Sequence, residues 1–470
     1  MNSLRFKIAF LFALFAITAF AQKDEKQLSL DFAGYLKNAQ YHEAYGMFDS
    51  IMAKKLAEDA FKTAMDGAFK QLGTISDYSF VDEERGKTMN KTYTLCHLKN
   101  ATLDIELVFN ASLRIIGFHF VDPLKVGGPK YTPPPYDSVG AYTEKEITIT
   151  TGDYKLPGTL TLPKNVPNPP VVILVHGSGP NDRDETIGPN KTFKDLAIGL
   201  ARKGIATIRY DKRTKVYGGQ MAKNLHEATV KDETIDDVIS AVNMVGKLGQ
   251  LNVDSNKSEI KKESDVPKYV VYKLCLDSNR IYVLGHSLGA MLAPRIAHES
   301  KKIKGIIMMA GDSRLLEDVM IYQNTYLSSL DTVSAHKSSN AERVAAMDKQ
   351  LELAKKPDLK PNTPDSLLPY NVAAPYWIDI NHYNQIKMAQ DLTMPILLIQ
   401  GERDYQVTMV DYNLWKEKLG DKKNVTFHSY PKLNHLFMEG EGKSVPAEYE
   451  KQGHVPMYVI NDIANWINKR

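Results

Sequence analysis

The sequence predicts an α/β protein with a doubly wound, mainly parallel sheet, preceded by a small α+β domain. Three observations lead to this prediction. From residue 143 to residue 470, short apolar runs alternate with segments of helical periodicity. Residues 22–121 show helical spacing first and two-residue alternation afterwards. Between them, residues 122–142 are rich in proline and glycine, which is typical of an extended interdomain linker.

The small domain is predicted from a change of period. Apolar residues recur at helical spacing as far as Phe69, which fits two or three helices. Beyond Thr92, alternate residues are apolar over 103–109 and again over 116–120, and the letters NAS mark a turn between the two runs. Helices followed by an antiparallel sheet are therefore expected in residues 22–121.

The larger domain begins with a hairpin pattern and continues with buried strands. The stretch EITITTGDYKLPGTLTLP predicts two antiparallel strands, and VVILV at 171–175 has no polar residue, which is typical of a strand buried on both faces. The runs IATIRYD, RIYVLG, IKGIIMMAG, MPILLIQGERD and VTFHSYP predict further strands, with helical segments between most of them and a final helix after the last.

Two segments interrupt this alternation. Residues 247–274 are polar and charged and are predicted to form a surface excursion. Residues 312–390 combine apolar clusters with polar stretches, and a structureless loop of that length is rare in a compact domain. We expect a mostly helical insertion at 312–390, lying over one edge of the sheet.

The N-terminus has the three parts of a secretory signal peptide. A short basic region precedes an apolar run over 8–20, and Ala19, Phe20 and Ala21 form a small-x-small cleavage signal. The apolar run is shorter than the roughly 20 residues of a membrane-spanning helix. We therefore expect cleavage after Ala21 (signal peptide 1–21), export to the periplasm or the medium, and no stable membrane insertion afterwards.

Charge and cysteine content exclude several classes of function. The formal net charge is +3, and two of the positive charges lie in the predicted signal peptide, so no nucleic-acid partner is expected. The two cysteines, Cys96 and Cys275, are too few for a disulfide scaffold and are interpreted as buried small hydrophobic residues. No zinc-type spacing occurs, so no metal and no cofactor is expected.

A candidate nucleophile lies in Gly285-His286-Ser287-Leu288-Gly289. This pentapeptide matches G-x-S-x-G, and it has a predicted strand before it and a helix-forming segment after it. A serine displayed on so sharp a turn has a strained backbone, and side chains two residues away on either side would obstruct it. Glycine at both of those positions favours a nucleophilic role for Ser287 over an ordinary strand end.

A serine nucleophile needs a base, and the base needs an acid to orient it. Asp404 follows the predicted strand PILLIQGERD, and His435 follows the next strand, so both fall at the ends of strands where such residues belong. Asp404 is also a candidate turn or helix cap, and Glu402 and Asp411 are the alternative acids. The alternative histidines are His428, His382 and His454.

An acyl-transfer site also needs donors for the oxyanion that forms in the reaction. The backbone N–H of Leu288 directly follows the nucleophile at the start of a helix, where the helix dipole favours negative charge. A second donor is expected in the loop HGSGP after the strand VVILV, from the amide of Ser178 or of Gly177.

Together, HGSGPNDRDETIGPNK, RYDKR, GHSLGA, GERD and NHLF resemble α/β-hydrolases, and specifically bacterial carboxylesterases of the dienelactone hydrolase-like or serine aminopeptidase-like group. The resemblance implies an acyl-enzyme mechanism on small esters and a lid at 312–390. It also suggests that Asp182, Arg183 and Arg213 line the pocket mouth or form a buried ion pair. The small domain resembles cystatin-like or NTF2-like domains of unknown function.

Other functions compete with a secreted serine esterase. A serine peptidase or aminopeptidase and a thioesterase use the same triad order, and a catalytically silent binding protein would retain the same scaffold. The aromatic residues of the insertion are interpreted either as a pocket wall or as the core of the insertion. These residues are Tyr370, Tyr376, Trp377 and Tyr383.

Overall fold

The computed structural model describes residues 24–86, 89–99, 101–121, 130–138, 140–221, 227–248, 276–330 and 337–470. The chain divides into two compact units, Met1–Gly128 and Pro129–Arg470. The predicted signal peptide, Cys275 and nearly all of the predicted surface excursion at 247–274 lie outside the described residues. Within the described part of the chain, no helix combines the length and apolar character needed to cross a membrane.

The described residues of the first unit form four helices followed by an antiparallel sheet. Asp24 begins the first helix by accepting a hydrogen bond from the backbone N–H of Gln27 at 2.9 Å. Phe32 and Phe61 from the helices are buried, with Ile105 from the sheet, in one apolar core. The sheet runs in the order β1-β2-β3-β4. The elements are α1 (Glu25–Lys37), α2 (Tyr41–Tyr45), α3 (Ser50–Lys55), α4 (Glu58–Leu72), β1 (Ile75–Arg85), β2 (Met89–Leu98), β3 (Thr102–Asn110) and β4 (Ile115–Val121).

Cys96 lies on β2 in this core and is fully buried as a free thiol. Burial, together with the nearby carboxylates of Asp104 and Asp77, raises the pKa of the thiol to about 12. This agrees with its interpretation as a small hydrophobic residue, because so high a pKa leaves almost no thiolate at neutral pH.

The second unit contains an eight-stranded sheet of order β14-β13-β12-β11-β7-β10-β6-β5. β5 and β6 pair antiparallel, β6 pairs antiparallel with β10, and all other neighbours are parallel. The predicted antiparallel start and parallel continuation are confirmed. The strands are β5 (Tyr142–Thr151), β6 (Tyr154–Pro163), β7 (Val171–Val175), two short strands β8 (Thr186–Ile187) and β9 (Asn190–Lys191), β10 (Ala206–Tyr210), β11 (Ile281–His286), β12 (Ile303–Met309), β13 (Ile396–Gly401) and β14 (Val425–Tyr430).

Helices cover both faces of this sheet, which explains why its central strands lack polar residues. On β7, Val171 and Ile173 belong to one apolar core and Val172 to the other. The first face is covered by α7 and α8, and the second by α5 and α14. The helices are α5 (Thr192–Arg202), α6 (Arg213–Met221), α7 (Asp236–Leu248), α8 (Leu288–Glu299), α9 (Leu316–Ser329), α10 (Lys337–Ala354), α11 (Ala374–His382), α12 (Gln385–Asp391), α13 (Met409–Leu419) and α14 (Met457–Asn468).

The segment 312–390 contributes α9 to α12, so its described part is mainly helical. Leu351 on α10 and Trp377 on α11 are buried in the same apolar core as α8. The insertion is therefore packed against the sheet domain, as part of its core, rather than extending away from it.

The second compact unit begins at Pro129, within the segment 122–142 that is predicted as a linker. Tyr131 donates a hydrogen bond through its hydroxyl to Asp195 at 2.9 Å, and the Tyr136 hydroxyl donates to the backbone O of Val455 at 2.7 Å. These tyrosines fasten the second half of the proline-rich segment to the sheet domain. Composition identifies the segment as extended but does not reveal which residues anchor it.

Candidate active site

Ser287 occupies the turn between β11 and α8. Its backbone has φ 54° and ψ −121°, a conformation that side-chain-bearing residues rarely adopt. A Cβ atom added at Gly285 would lie 2.1 Å from the backbone O of Gly289, and one added at Gly289 would lie 2.3 Å from the backbone O of Val175. Both glycines are therefore required by the tightness of the turn, as the motif predicts.

His435 and Asp404 form a buried pair. The Nδ1 atom of His435 lies 2.7 Å from Oδ2 of Asp404, and both residues are less than 5% exposed. The same carboxylate accepts the backbone N–H groups of Gln406 (2.7 Å) and Val407 (3.1 Å) and the side-chain amide of Gln400 (3.2 Å). Asp404 therefore caps a turn and also contacts the His435 ring, so the two predicted roles of this residue are compatible.

The alternative acids have other partners. Glu402 is exposed and accepts a hydrogen bond from the Ser429 hydroxyl at 2.8 Å. Asp411 is buried. Its carboxylate accepts hydrogen bonds from the Arg314 guanidinium at 2.7 and 3.0 Å and from the backbone N–H of Ser313 at 3.2 Å. Neither carboxylate lines the cavity described below.

The alternative histidines also lie elsewhere. His428 is 3.6 Å from Asp462, and His454 is 3.1 Å from Asp195. His382 is exposed at the end of α11. Of the four histidines weighed as a base, only His435 lines the cavity next to Ser287.

Ser287 and His435 share a cavity of about 600 Å³. Tyr370, Tyr376 and Trp377 also line it, so these three aromatic residues of the insertion belong to the pocket wall. Tyr383 is different, because it is buried and its hydroxyl donates to the backbone O of Met291 at 2.7 Å. The aromatic cluster therefore divides between pocket wall and core.

The loop after β7 reaches the same cavity through Gly177 and Ser178. The N–H of Gly177 is already used, since it donates to Oε1 of Glu185 at 2.8 Å. Gly177 is therefore a poor oxyanion donor, contrary to one of the two sequence expectations. The amide of Ser178 remains as the candidate oxyanion donor from this loop. The other candidate donor is the amide of Leu288 at the first position of α8, where a backbone N–H has no acceptor within the helix.

Glu185 and His286 form a second buried pair, which the sequence analysis missed. Oε2 of Glu185 lies 2.9 Å from Nδ1 of His286, and Nε2 of His286 lies 2.9 Å from the backbone O of His435. Both neighbours of the ring are acceptors, so the arrangement favours a proton on each ring nitrogen of His286. Burial lowers the pKa of His286, but the Glu185 carboxylate, the backbone O of His435 and the Asp404 carboxylate together outweigh burial, and the net shift is upward.

The same attraction acts on the carboxyl group. Burial raises the pKa of Glu185, but His286, His176 and the N–H of Gly177 together lower it by more, so the net shift is downward. Two sequence features could have pointed to this pair. One is Glu185, which ends NDRDE close to the candidate oxyanion loop, and the other is the histidine inside G-x-S-x-G. Nothing local in either motif indicates that the two side chains meet.

The chain resembles a known esterase over most of its length. Esterase EstD from Thermotoga maritima is 40% identical to it over 356 residues, which cover 76% of this chain and 74% of that protein. The chain belongs to the same family of esterases as EstD. The predicted fold and the predicted class of carboxylic ester hydrolase are confirmed.

Two further comparisons concern parts of this esterase. Residues 29–118 match a family described as a protein of unknown function, DUF3887. Among solved structures, Est1E from Butyrivibrio proteoclasticus is 17% identical (69% of this chain, 99% of that chain, TM-score 0.41). The Pyrococcus furiosus esterase Pf2001 is 16% identical (72% of this chain, 97% of that chain, TM-score 0.41).

Lys212 connects the oxyanion loop of the esterase to the insertion. Its Nζ atom donates to the backbone O of Gly177 at 2.8 Å and lies 2.6 Å from Oε1 of Glu233. Oε2 of Glu233 accepts the hydroxyl of Tyr376 at 2.8 Å. Burial and the Glu233 carboxylate raise the pKa of Tyr376 well above its ordinary value, so the phenol keeps the proton it donates.

Asp182, Arg183 and Arg213 do not form an ion pair with one another. Arg183 is held by Asp211 at 2.9 Å and by Glu146 at 2.6 Å. Arg213 pairs through its guanidinium Nε with Asp237 at 3.0 Å. The Asp182 carboxylate accepts the backbone N–H groups of residues 184 and 186, both at 3.1 Å, and thereby shapes the loop that carries Glu185.

The described residues of the esterase contain no group of three or more His, Cys, Asp or Glu side chains arranged to hold a metal ion. The candidate site itself contains the hydroxyl of Ser287, the imidazole of His435, the carboxylate of Asp404 and backbone amides. Such a set is suited to acyl transfer by a covalent route.

Proposed function

We propose that this esterase hydrolyses small carboxylic esters through an acyl-enzyme formed on Ser287. The proposal rests on the position of Ser287, on a strained turn at the wall of a cavity that His435 also lines. The Nδ1 atom of His435 is held by the buried carboxylate of Asp404. An imidazole held at Nδ1 by a carboxylate keeps Nε2 free to accept a proton.

In the first half-reaction, the Ser287 oxygen attacks the ester carbonyl carbon while His435 takes the hydroxyl proton. The amides of Leu288 and Ser178 stabilise the negative oxygen of the tetrahedral intermediate. Its collapse breaks the bond to the alcohol oxygen, which takes the proton from His435 and leaves. Asp404 stabilises the imidazolium during both steps.

In the second half-reaction, a water molecule replaces the alcohol. His435 removes a proton from the water, and the resulting hydroxide attacks the acyl carbon bound to Ser287. The second tetrahedral intermediate collapses, the carboxylic acid leaves, and the proton returns to the serine oxygen. The sum of both half-reactions is an ester and water giving an alcohol and an acid.

The test is labelling with a fluorophosphonate probe together with rate measurements on p-nitrophenyl acetate, butyrate and octanoate. We expect labelling of the wild type, none of Ser287→Ala, and full labelling of Ser429→Ala, whose serine lies outside the cavity. Labelling that persists in Ser287→Ala would refute the nucleophile. Faster turnover of an aminoacyl anilide than of the esters would instead favour a peptidase.

We also propose that residues 1–21 direct export. The basic, apolar and small-residue regions of this segment support the proposal. Expressed in a bacterial host with a periplasm, the protein is expected in the periplasmic fraction or the medium with Gln22 as its first residue. An N-terminal sequence that still begins at Met1 would contradict cleavage.

A further inference from the structure

Asp312 lies at the same sheet edge as the proposed catalytic residues. It follows β12 by three residues, and β12 lies between β11, which leads into Ser287, and β13, which leads into the loop of Asp404. The carboxyl ends of parallel strands meet at one edge of a sheet, which is where doubly wound folds bind their ligands. None of the roles assigned above uses Asp312.

The Asp312 side chain is buried yet faces the cavity. It is 2% exposed and lines the cavity together with Ser287 and His435. Its Oδ1 atom has no hydrogen-bond partner among the described residues. Buried polar atoms are nearly always paired in folded proteins, so an unpaired oxygen on a residue that lines the cavity makes Asp312 a candidate contact for a polar group of a ligand.

The surroundings of Asp312 favour the neutral carboxylic acid. Burial raises its pKa well above the ordinary value, and the carboxylates of Asp411 and Asp404 raise it further. Arg314 and His286 oppose the rise, but each already has a carboxylate partner, Asp411 for the guanidinium and Glu185 for the imidazolium. A protonated carboxyl group carries one O–H donor and keeps acceptor capacity, so it pairs well with a hydroxyl group.

We propose that Asp312 is a specificity-determining residue, whose carboxyl group hydrogen-bonds a hydroxyl group of the substrate and makes the enzyme prefer hydroxylated esters. The inference rests on the proposed esterase function and adds the substrate class. Leu316, Met320, Val372 and Trp377 supply apolar wall for the carbon chain of such a substrate. A purely alkyl substrate would leave the Asp312 oxygen buried against carbon, which is unfavourable.

The test compares matched substrates that differ by one hydroxyl group. For the acyl part, the pair is p-nitrophenyl butyrate and p-nitrophenyl 3-hydroxybutyrate. For the alcohol part, the pair is ethyl butyrate and 2-hydroxyethyl butyrate, followed by titration of the released acid. We expect the wild type to prefer the hydroxylated member of one pair by about tenfold in kcat/KM, the effect of one neutral hydrogen bond.

Substitutions at position 312 test whether the preference for the hydroxylated substrate depends on the Asp312 side chain. Asp312→Ala should reduce the ratio of the two kcat/KM values to near one, whereas Asp312→Asn, which keeps a donor and an acceptor, should retain most of it. Asp358→Ala, at an exposed aspartate outside the cavity, serves as the matched control. Fluorophosphonate labelling of every variant verifies that the serine site is intact.

Two results would overturn the inference: a wild type without preference in either pair, or a preference that is the same in Asp312→Ala. With labelling of Ser287 intact, either result refutes the role of Asp312 and leaves the esterase mechanism standing. If the wild type is not labelled at all, the acyl-enzyme mechanism itself is refuted.

Discussion

The carboxylate of Glu185 lies 2.9 Å from the imidazole of His286, and this buried pair joins the three loops of the proposed active site. Glu185 holds the N–H of Gly177 in the oxyanion loop, and His286 immediately precedes Ser287. The other nitrogen of His286 holds the backbone O of His435. This pair therefore contacts all three segments that carry the proposed oxyanion donor, nucleophile and base.

Glu185→Gln should slow the chemical step. The amide retains an acceptor for the N–H of Gly177 but loses the charge that raises the pKa of His286. We expect kcat to fall about 10- to 100-fold with a much smaller change in KM, because a small misplacement of reacting groups costs up to about 100-fold in rate. Steady-state rates on p-nitrophenyl butyrate measure both constants. An unchanged kcat would show that the pair has no positioning role.

The same pair predicts a pH dependence of stability. Because the pKa of His286 is raised above its ordinary value of about 6.5, the folded protein holds this proton more tightly than the unfolded chain does. The stabilisation is therefore complete below about pH 6.5, provided that Glu185 is ionised, and is lost as the pH rises through the folded-state pKa. The Tm difference between the wild type and His286→Gln should shrink from pH 6 to pH 9. A difference that grows over this range would contradict the assignment.

Asp404→Asn should nearly abolish turnover while preserving the fold. The amide can still accept from the backbone N–H groups of Gln406 and Val407, but it no longer stabilises an imidazolium at His435. We expect kcat to fall by about 10³- to 10⁴-fold, the usual effect of this change in a Ser-His-Asp site. Glu402→Gln, two residues away and exposed, should change kcat by less than about twofold and is the matched control. Equal losses in both variants would remove Asp404 from its proposed role.

Gly289→Ala should destabilise the esterase, because its new Cβ would lie 2.3 Å from the backbone O of Val175. We expect a loss of roughly 3 kcal/mol in the free energy of unfolding. Gly246→Ala, on the exposed side of α7 with no atom within 4 Å of its Cβ, should instead stabilise by about 0.5–1 kcal/mol. Tryptophan fluorescence during urea unfolding reports on the second unit, because Trp377, Trp415 and Trp466 are the only tryptophans of the chain. A neutral Gly289→Ala would contradict the tight turn.

Features that depend on neighbouring residues in the chain were predictable from sequence. The strand VVILV, the hairpin before it and the glycines around Ser287 all follow from local composition and period. Contacts between distant residues were not: Glu185 and His286 are about a hundred positions apart, and no periodicity relates them. The Gly177 N–H is bonded by the other carboxylate oxygen of Glu185, within one irregular loop where no period predicts contacts, and for this reason both Gly177 and Ser178 stayed candidate oxyanion donors.

Lys212 and Glu233 form a buried ion pair, and removing either residue leaves the other without its counter-ion. Their side chains are 2% and 12% exposed and lie 2.6 Å apart. Removing one partner of such a pair typically costs about 3–5 kcal/mol. Lys212→Met alone should therefore destabilise the second unit by that amount, since a carboxylate remains at the cavity without its cation.

Adding Glu233→Gln to Lys212→Met should recover part of the lost stability, because the uncompensated charge is gone and the amide oxygen still accepts the hydroxyl of Tyr376. We expect a coupling energy of about 1–3 kcal/mol from the four urea unfolding curves of this double-mutant cycle. Tyr376→Phe, which removes only the hydroxyl, is the control for the contact with the insertion. Strictly additive effects of Lys212→Met and Glu233→Gln would mean that the two charges do not depend on each other. In that case the link from the oxyanion loop to α11 would be a series of independent contacts.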